Sequence, residues 1–343
     1  MNRFITKTIK YLVATLLLSA LIIYVFIEIK PAFFLGAPVD YYYCTYQYEQ
    51  INKKTGFSNI IIGDSRGNAS VNPKVLGNKW INLSIPGSDL FEGCLTLKKY
   101  LLNNKVDTLV MVYGLYYLAE ISPYFNRRTV PFQFVSYNEL KDLEQVEKKY
   151  KYKFHDESVT SQRALSLAQY DRRLKYWHFP FHYRETFIDG LNSLCNTWAD
   201  VNVAKQKVIK QLTDYRGYMN FGEADSNNTD GINGDFEFYL PSISKHYFDQ
   251  LMDVAAKNKI AVYLMVAPIN QASFMSYNKS PFQTTVDKYM KTLQTQYANL
   301  HLVPGPVCLP NTMFGDPYHV NKKGTAFFSE ITRKMLDSTS IKR

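Results

Sequence analysis

The sequence lacks the patterns by which metal-binding and nucleic-acid-binding proteins are usually recognised. It has only four cysteines, Cys44, Cys94, Cys195 and Cys308, and none of them belongs to a C-x-x-C pair. A metal site is therefore not expected. In an oxidising compartment these cysteines would form one or two disulfides, and free, half-buried thiols are the alternative. Because the chain also lacks internal repeats and nucleic-acid-binding motifs, we expect no nucleic-acid partner.

Charge is missing from one long run near the amino terminus. Tyr11–Ile27, YLVATLLLSALIIYVFI, is uncharged, and its length is near the lower limit for a membrane-spanning helix. Three basic residues precede it, so the positive-inside rule places the amino terminus in the cytoplasm. A cleaved signal peptide is the alternative, but the following EIKP is a poor cleavage site. We predict a cytoplasmic stub and anchor over 1–30 and an exported domain over 31–343.

What remains is the composition of a folded, basic domain. The chain of 343 residues is 46% hydrophobic and 20% charged, which excludes a disordered protein and allows one sizeable core. The formal net charge is +10, of which +3 belongs to the first thirty residues. The basic residues are scattered. They indicate either an ordinary solvated surface or attraction to an anionic envelope polymer or membrane surface.

Strand-like and helix-like segments alternate along the exported part. Five short apolar runs predict buried strands, and they are Ile60–Ile62, Trp80–Leu83, Thr108–Tyr113, Ile260–Val266 and Leu300–Val303. Helical spacing predicts helices at Asp89–Leu102, Ser244–Asn258 and Phe282–Tyr297, and one that Asn321 caps and that runs to about Leu336. The sequence therefore predicts an α/β fold with a mostly parallel five-stranded sheet.

One interval, about 115–243 between the third and fourth strands, breaks this alternation. It combines helical, aromatic segments with the polar loop FGEADSNNTDGINGDF. We predict that it is a large, mainly helical insertion, since lids and binding loops often take this form.

Polar residues follow the first two predicted strands, at the sheet edge where open α/β sheets bind their ligands. Ser65 follows the first strand in Gly-Asp-Ser, which is not the G-x-S-x-G elbow of α/β-hydrolases. It is either a nucleophile or the first polar residue of a turn. Gly87 follows the second strand, and with the Ser65 N–H its N–H would form an oxyanion hole. A simple Pro-Gly turn is the alternative there.

Asp316 and His319 are three residues apart, shortly before the last predicted helix. If Asp316 opens a helical turn with Pro317 at its first position, the two side chains lie on one face. The carboxylate would then hold the imidazole in one tautomer. The alternative is that Asp316 only caps the turn and His319 is a surface residue.

Together these blocks resemble those of the SGNH (GDSL-type) hydrolase family. Gly63-Asp64-Ser65 is similar to its first block, Gly87 to its second, and Asp316-Pro317-Tyr318-His319 to its last. HVNKKGTAFF also looks like the segment that usually follows the last block in this family, a polar linker and a glycine that lead into the final helix. The resemblance covers the strands and both ends of the domain, but not the insertion, and implies a three-layer, flavodoxin-like fold.

The resemblance also implies roles for these residues. Ser65 would be the nucleophile, His319 the base and Asp316 the residue that orients it, with no cofactor and no metal. The family's third block, Gly-x-Asn, is not kept, because Tyr116 occupies the asparagine position. Tyr116 either donates from its hydroxyl or leaves the oxyanion hole without a third donor. Arg66 would bind an anionic substrate group or pair with a structural carboxylate.

The anchor and the insertion are similar in layout to membrane-anchored SGNH proteins of bacterial envelopes, such as the D-alanyl transfer protein of teichoic acid assembly and the alginate O-acetylation proteins. This implies a serine esterase or O-acyltransferase of an envelope glycan, with a membrane-bound acyltransferase as partner. The alternatives are a non-catalytic binding or assembly protein of the envelope, and a lipid-directed esterase.

Overall fold

A computed structural model describes residues 2–24, 38–115, 134–150, 198–220, 242–303 and 305–340, with single residues at 118, 122, 128, 129 and 132. The described part is a mixed α/β fold around a parallel sheet. It includes eleven α-helices, the first of which is an apolar amino-terminal helix.

Five parallel strands form the main sheet, and they are β1 Asn59–Gly63, β2 Trp80–Asn82, β3 Thr108–Tyr113, β4 Ala261–Val266 and β6 Leu300–Leu302. Their order in the sheet is β2-β1-β3-β4-β6. Counted within this sheet, the order is 2-1-3-4-5, one of the two common orders of doubly wound sheets. The strand order changes direction between β1 and β3, so their carboxyl ends flank the expected ligand crevice.

The strands form where they do because both of their faces are buried. Ile60 and Ile62 of β1 belong to the larger hydrophobic core, whereas Ile61 belongs to the smaller core on the opposite face. Alternate residues of a strand point to opposite faces, so a continuous apolar run requires helices on both sides of the sheet.

Helices cover both faces and make three layers. The described helices are α1 Asn2–Tyr24, α2 Pro38–Asn52, α3 Ser65–Ser70, α4 Pro73–Leu76, α5 Leu90–Leu101, α6 Tyr137–Lys149, α7 Trp198–Asp214, α8 Ser242–Lys257, α9 Gln271–Tyr277, α10 Pro281–Gln296 and α11 Lys322–Ser340. Residues of α2, α5, α8 and α10 line the larger core, and residues of α4 and α11 line the smaller one.

The predicted elements are confirmed with small shifts of their ends. All five strands are present, and the four predicted helices correspond to α5, α8, α10 and α11. Asp89, one of the two residues expected to cap the first of these helices, is its N-cap. The sequence did not predict α2, α9 or a second sheet of two short parallel strands, β5 Ile269–Asn270 and β7 Cys308–Leu309.

Two helices, α6 and α7, lie within the predicted insertion. The aromatic segment within 151–197 and the polar loop within 221–241 fall outside the described residues. The segment that directly follows α7, within the insertion, is attached at the β2 edge of the sheet. Gln47 Nε2 donates to the carbonyl oxygens of Asn82 and Gly217, at 3.2 and 3.0 Å, and Asn68 Oδ1 accepts the Met219 N–H at 2.8 Å. A Cβ at Gly217 would lie 1.9 Å from the Asn82 oxygen, so only glycine fits there.

The apolar amino-terminal helix, α1, is not covered by the rest of the described protein. Its segment Arg3–Ile22 is long and apolar enough to cross a membrane, and none of it is buried. A signal sequence has the same length and composition.

Three of the four cysteines are free thiols in the structure. Cys44 and Cys94 are buried and Cys308 is half-buried, whereas Cys195 lies outside the described residues. Burial raises the pKa of Cys94 to about 11 and raises the pKa of the other two thiols as well. Thiols held neutral in this way are poor nucleophiles.

Candidate active site

Ser65 is the first residue of α3, directly beyond the carboxyl end of β1. The fully buried Asp64 fixes this junction with both carboxylate oxygens. Its Oδ1 accepts the N–H groups of Arg66 at 2.8 Å and Gly67 at 3.1 Å, and thereby caps α3. Its Oδ2 accepts the Gly114 N–H, at 3.0 Å, at the end of β3. The Asp64 side chain thus ties the start of α3, where Ser65 lies, to the ends of β1 and β3, a role that the sequence analysis did not assign to it.

Two glycines let α3 pack its backbone directly onto β3. An added Cβ would lie 1.9 Å from the Val112 carbonyl oxygen at Gly63, and 2.3 Å from the same atom at Gly67. Neither position can hold a side chain unless the strand or the helix moves. The glycine of the Gly-Asp-Ser block is therefore required by a close backbone approach.

His319 and Asp316 lie in one short turn that precedes α11. Asp316 Oδ1 accepts the N–H groups of Tyr318 at 2.7 Å and His319 at 2.8 Å, and Asp316 Oδ2 lies 2.7 Å from His319 Nδ1. The predicted helical turn was wrong, because residues 315–319 form a bend closed by the Phe314–Val320 bridge. The two side chains meet nevertheless, and Asp316 both caps the turn and contacts the imidazole.

The unpredicted second sheet supports this turn. Asn270, which ends β5 and is buried, donates from Nδ2 to the Pro317 carbonyl oxygen at 2.8 Å. Its Oδ1 accepts the Ser273 N–H at 2.7 Å, which caps α9. Asn270 therefore links the His319 turn to the sheet, and no local sequence signal marks it.

The pKa of Asp316 lies below its ordinary value. Burial by itself raises the pKa of this half-buried carboxyl, but the hydrogen bond and charge of His319 and the two backbone N–H groups outweigh it. A lowered pKa keeps Asp316 ionised at neutral pH. An ionised carboxylate beside Nδ1 favours the tautomer that carries its proton on Nδ1 and leaves Nε2 free to accept one.

Ser65, His319 and Asp316 form one hydrogen-bonded chain. His319 Nε2 lies 2.8 Å from Ser65 Oγ, although the two residues are 254 positions apart in sequence. The structure therefore brings together the three residues that the sequence analysis singled out for catalysis. A nucleophile, a base within hydrogen-bond reach and a carboxylate that orients the base are the recurring parts of an acyl-transfer site.

Gly87 lies in a loop that is anchored beside the same junction. The Ile85 N–H and the Ser88 hydroxyl both donate to the Gly63 carbonyl oxygen, at 3.0 and 2.7 Å. Gly87 itself has a φ of +68°, which favours glycine. Within the described part of the chain, neither the Gly87 N–H nor the Ser65 N–H has a hydrogen-bond acceptor. Tyr116, the third expected donor, lies outside the described residues.

Two buried carboxyl groups hold the start of α5, directly after this loop. Asp89 accepts the N–H groups of Glu92 at 3.1 Å and Ser122 at 2.8 Å, and Glu92 accepts the Asp89 N–H and the Thr129 hydroxyl. Burial and the nearby Asp89 charge raise the pKa of Glu92 well above its usual value. The sequence predicted the cap but not these contacts with the segment beyond β3.

Arg66 lies between two parts of the site. Its guanidinium carbon is 5.2 Å from the centre of the Tyr318 ring, and a Cβ at Gly114 would lie 2.5 Å from its Nη1. Of the two expected roles, pairing with a structural carboxylate is not seen, because Arg66 forms no ion pair with any described residue.

Comparisons of the sequence with known proteins add nothing to this geometry. No model of a known protein family matches the chain, and no curated protein matches it.

Proposed function

We propose that this protein is a serine esterase or O-acyltransferase of the SGNH type that acts through a covalent acyl-enzyme. One observation carries the proposal. Ser65 Oγ, His319 and Asp316 form a continuous hydrogen-bonded chain, with distances of 2.8 and 2.7 Å, at the carboxyl edge of a doubly wound sheet. If Ser65 were only the first polar residue of a surface turn, its hydroxyl would not need a histidine from the other end of the chain as its partner.

The reaction follows from these positions. His319 Nε2 takes the proton of Ser65 Oγ while the oxygen attacks the ester carbonyl carbon, and Asp316 stabilises the imidazolium that forms. The N–H groups of Ser65 and Gly87 donate to the oxyanion of the tetrahedral intermediate. His319 then protonates the leaving alkoxide as its bond to carbon breaks, which leaves the acyl group on Ser65. Water or a sugar hydroxyl completes the cycle by the same steps in reverse.

The polymer we propose as substrate is a glycan of the cell envelope. A cleft between α4, α7 and α11 is lined by Lys207, Gln211, Tyr215 and Tyr218 together with residues of α4 and α11. None of Ser65, Asp316 and His319 lines this cleft, so in this proposal it would bind a part of the polymer away from the ester, where the amide of Gln211 and the phenol of Tyr215 suit the hydroxyl-rich faces of sugars. In this proposal α1 is an uncleaved anchor, the domain lies outside the cytoplasmic membrane, and a membrane-bound acyltransferase supplies or receives the acyl group.

Labelling by a fluorophosphonate probe tests the proposal. The full chain in detergent is treated with the probe beside Ser65→Ala, His319→Ala and, as a matched control, Ser338→Ala at an exposed position of α11. We expect labelling of the wild type and of the control, none of Ser65→Ala, and at least a hundredfold slower labelling of His319→Ala. A folded wild-type protein that is not labelled would favour the non-catalytic binding protein. Labelling followed by acyl release from lipid esters alone would favour the lipid-directed esterase.

A further inference from the structure

We propose that Arg66 is a specificity residue that binds a carboxylate or phosphate group of the substrate next to the ester that Ser65 attacks. This inference rests on the proposed function, because it takes Ser65 as the nucleophile. It names the substrate class as an acylated anionic glycan, in preference to a neutral one.

Three parts of the active-site edge hold the guanidinium of Arg66 in place. Arg66 directly follows Ser65 at the amino end of α3, which fixes the origin of its side chain. The guanidinium lies near the Tyr318 ring of the His319 turn and reaches the carboxyl end of β3 at Gly114. The side chain therefore spans the edge at which the nucleophile and the base meet. A long, flexible side chain fixed in this way has already lost much of the freedom that ligand binding would otherwise cost.

Gly114 makes room for this arrangement. A Cβ at position 114 would lie 2.5, 2.8 and 3.0 Å from three atoms of the Arg66 side chain. The absence of a side chain at Gly114 thus lets Arg66 lie flat against the end of β3. Tyr318 is 47% exposed, so the stacked pair lies at the surface, where a ligand can reach it.

The carboxylates of Asp64 and Asp316 form no ion pair with Arg66. Both oxygens of Asp64 are occupied by backbone N–H groups, and both oxygens of Asp316 are occupied by the His319 turn. Among the described residues Arg66 has no ion-pair partner. A cation that is held in place but not paired provides an attraction for an anion.

The chemistry of the guanidinium selects the class of anion. Its planar fork donates two parallel hydrogen bonds, which match the paired oxygens of a carboxylate or a phosphate. An aromatic ring binds the flat face of the guanidinium and leaves its N–H edge free for this purpose. The formal charge that remains beyond the first thirty residues, +7, further favours association with an anionic polymer. Uronic acids and polyol phosphates are two sources of such groups in glycans.

Equilibrium binding separates these sources. The full chain carrying Ser65→Ala, which prevents turnover, is titrated in detergent at physiological salt with three fluorescent oligomers of equal length: an oligouronate, a polyol-phosphate oligomer and a neutral oligoglucan. We expect at least tenfold tighter binding of one or both acidic oligomers than of the neutral one. The stronger of the two acidic ligands identifies the source of the anion.

The arginine variants then test the residue. Arg66→Gln should weaken binding of the acidic oligomer at least tenfold, and Arg66→Lys, which keeps the charge but not the fork, should weaken it less. Arg333→Gln removes an equal charge from the solvent-facing side of α11 and should change the affinity for the acidic oligomer less than twofold. If Arg66→Gln does not fold, Arg66→Lys and Tyr318→Leu replace it as tests of the inference. Each should weaken binding of the acidic oligomer threefold or more.

Two results would overturn the inference: equal binding of acidic and neutral oligomers, or an Arg66→Gln effect no larger than that of Arg333→Gln. Either result with normal fluorophosphonate labelling of Ser65 in the wild type rejects the Arg66 role alone. Arg66-dependent binding in a wild type that the probe does not label rejects the enzymatic function and leaves an anion-binding protein.

Discussion

Two aspartates, Asp64 and Asp316, organise the candidate site because each uses its two oxygens on different parts of the structure. Asp64 joins the N-terminus of α3 to the end of β3, and Asp316 joins its own turn to the imidazole of His319. The sequence allowed the pairing of Asp316 with His319 to be predicted, since their spacing is local. It did not allow the role of Asp64 to be predicted, because its partner Gly114 is fifty residues away and depends on strand pairing.

At the residue scale, Asp316→Asn should reduce the rate of Ser65 acylation by about 10³–10⁴-fold. The amide has no charge to stabilise the imidazolium, and its NH₂ group can favour the wrong tautomer. The second-order rate of fluorophosphonate labelling near neutral pH measures this effect. Asp337→Asn, on the solvent-facing side of α11, is the matched control, and the probe should label it at the wild-type rate. A rate for Asp316→Asn within threefold of the wild type would mean that His319 is not oriented through Asp316.

At the scale of the elements, the site forms where β1, α3 and β3 approach one another closely. The apolar runs made the strands and their helices predictable, because a buried strand needs a continuous apolar sequence. The short strands β5 and β7 were not predictable, since two residues carry no period. Asn270, which supports the His319 turn, lies in one of them, so the sequence predicted that Asp316 and His319 would contact each other but not the contact that supports their turn.

The contact between β1 and β3 predicts a large effect of Gly63→Ala. Its Cβ would overlap the Val112 carbonyl oxygen, which belongs to the backbone and cannot rotate away. We expect the free energy of unfolding to fall by about 2 kcal/mol or more, as measured by denaturant unfolding in detergent. Gly56→Ala is the comparison, because a Cβ at Gly56 would meet no neighbouring atom, although the backbone there has a φ of +79°. It should cost about 1 kcal/mol from backbone strain. Equal losses in the two variants would show that β1 and β3 can separate without penalty.

At the scale of the whole molecule, the site is assembled from both ends of the folded domain, and α1 lies outside its core. The order of strands and helices along the chain made the class of fold predictable. The attachment of the insertion at Gln47 and Gly217 was not, because it consists of hydrogen bonds between residues far apart in sequence. The helix α1 is long and apolar enough to cross a membrane, and none of its apolar span is buried against the rest of the described protein.

The proposal that α1 is an uncleaved membrane anchor can be tested in the cells that make the protein. If α1 spans the membrane uncleaved, the protein should remain in the membrane fraction after an alkaline carbonate wash, and its amino-terminal peptide should retain α1. Protease added to intact spheroplasts should digest the domain but not the amino-terminal stub, as the basic residues before α1 predict. A mature protein that begins after Tyr24 and is released by the wash would show that α1 is a signal sequence.

The central claim is that Ser65 becomes acylated, and peptide mass spectrometry tests it most directly. The full chain is mixed with 4-nitrophenyl acetate, quenched in acid within seconds, digested and analysed. We predict one acetyl group on Ser65, its absence from Asp316→Asn and His319→Ala on the same time scale, and its loss on longer incubation or on addition of an acceptor glycan. Release of nitrophenol without acetyl-Ser65 in any quenched sample, or acetylation that does not depend on His319, would contradict the account.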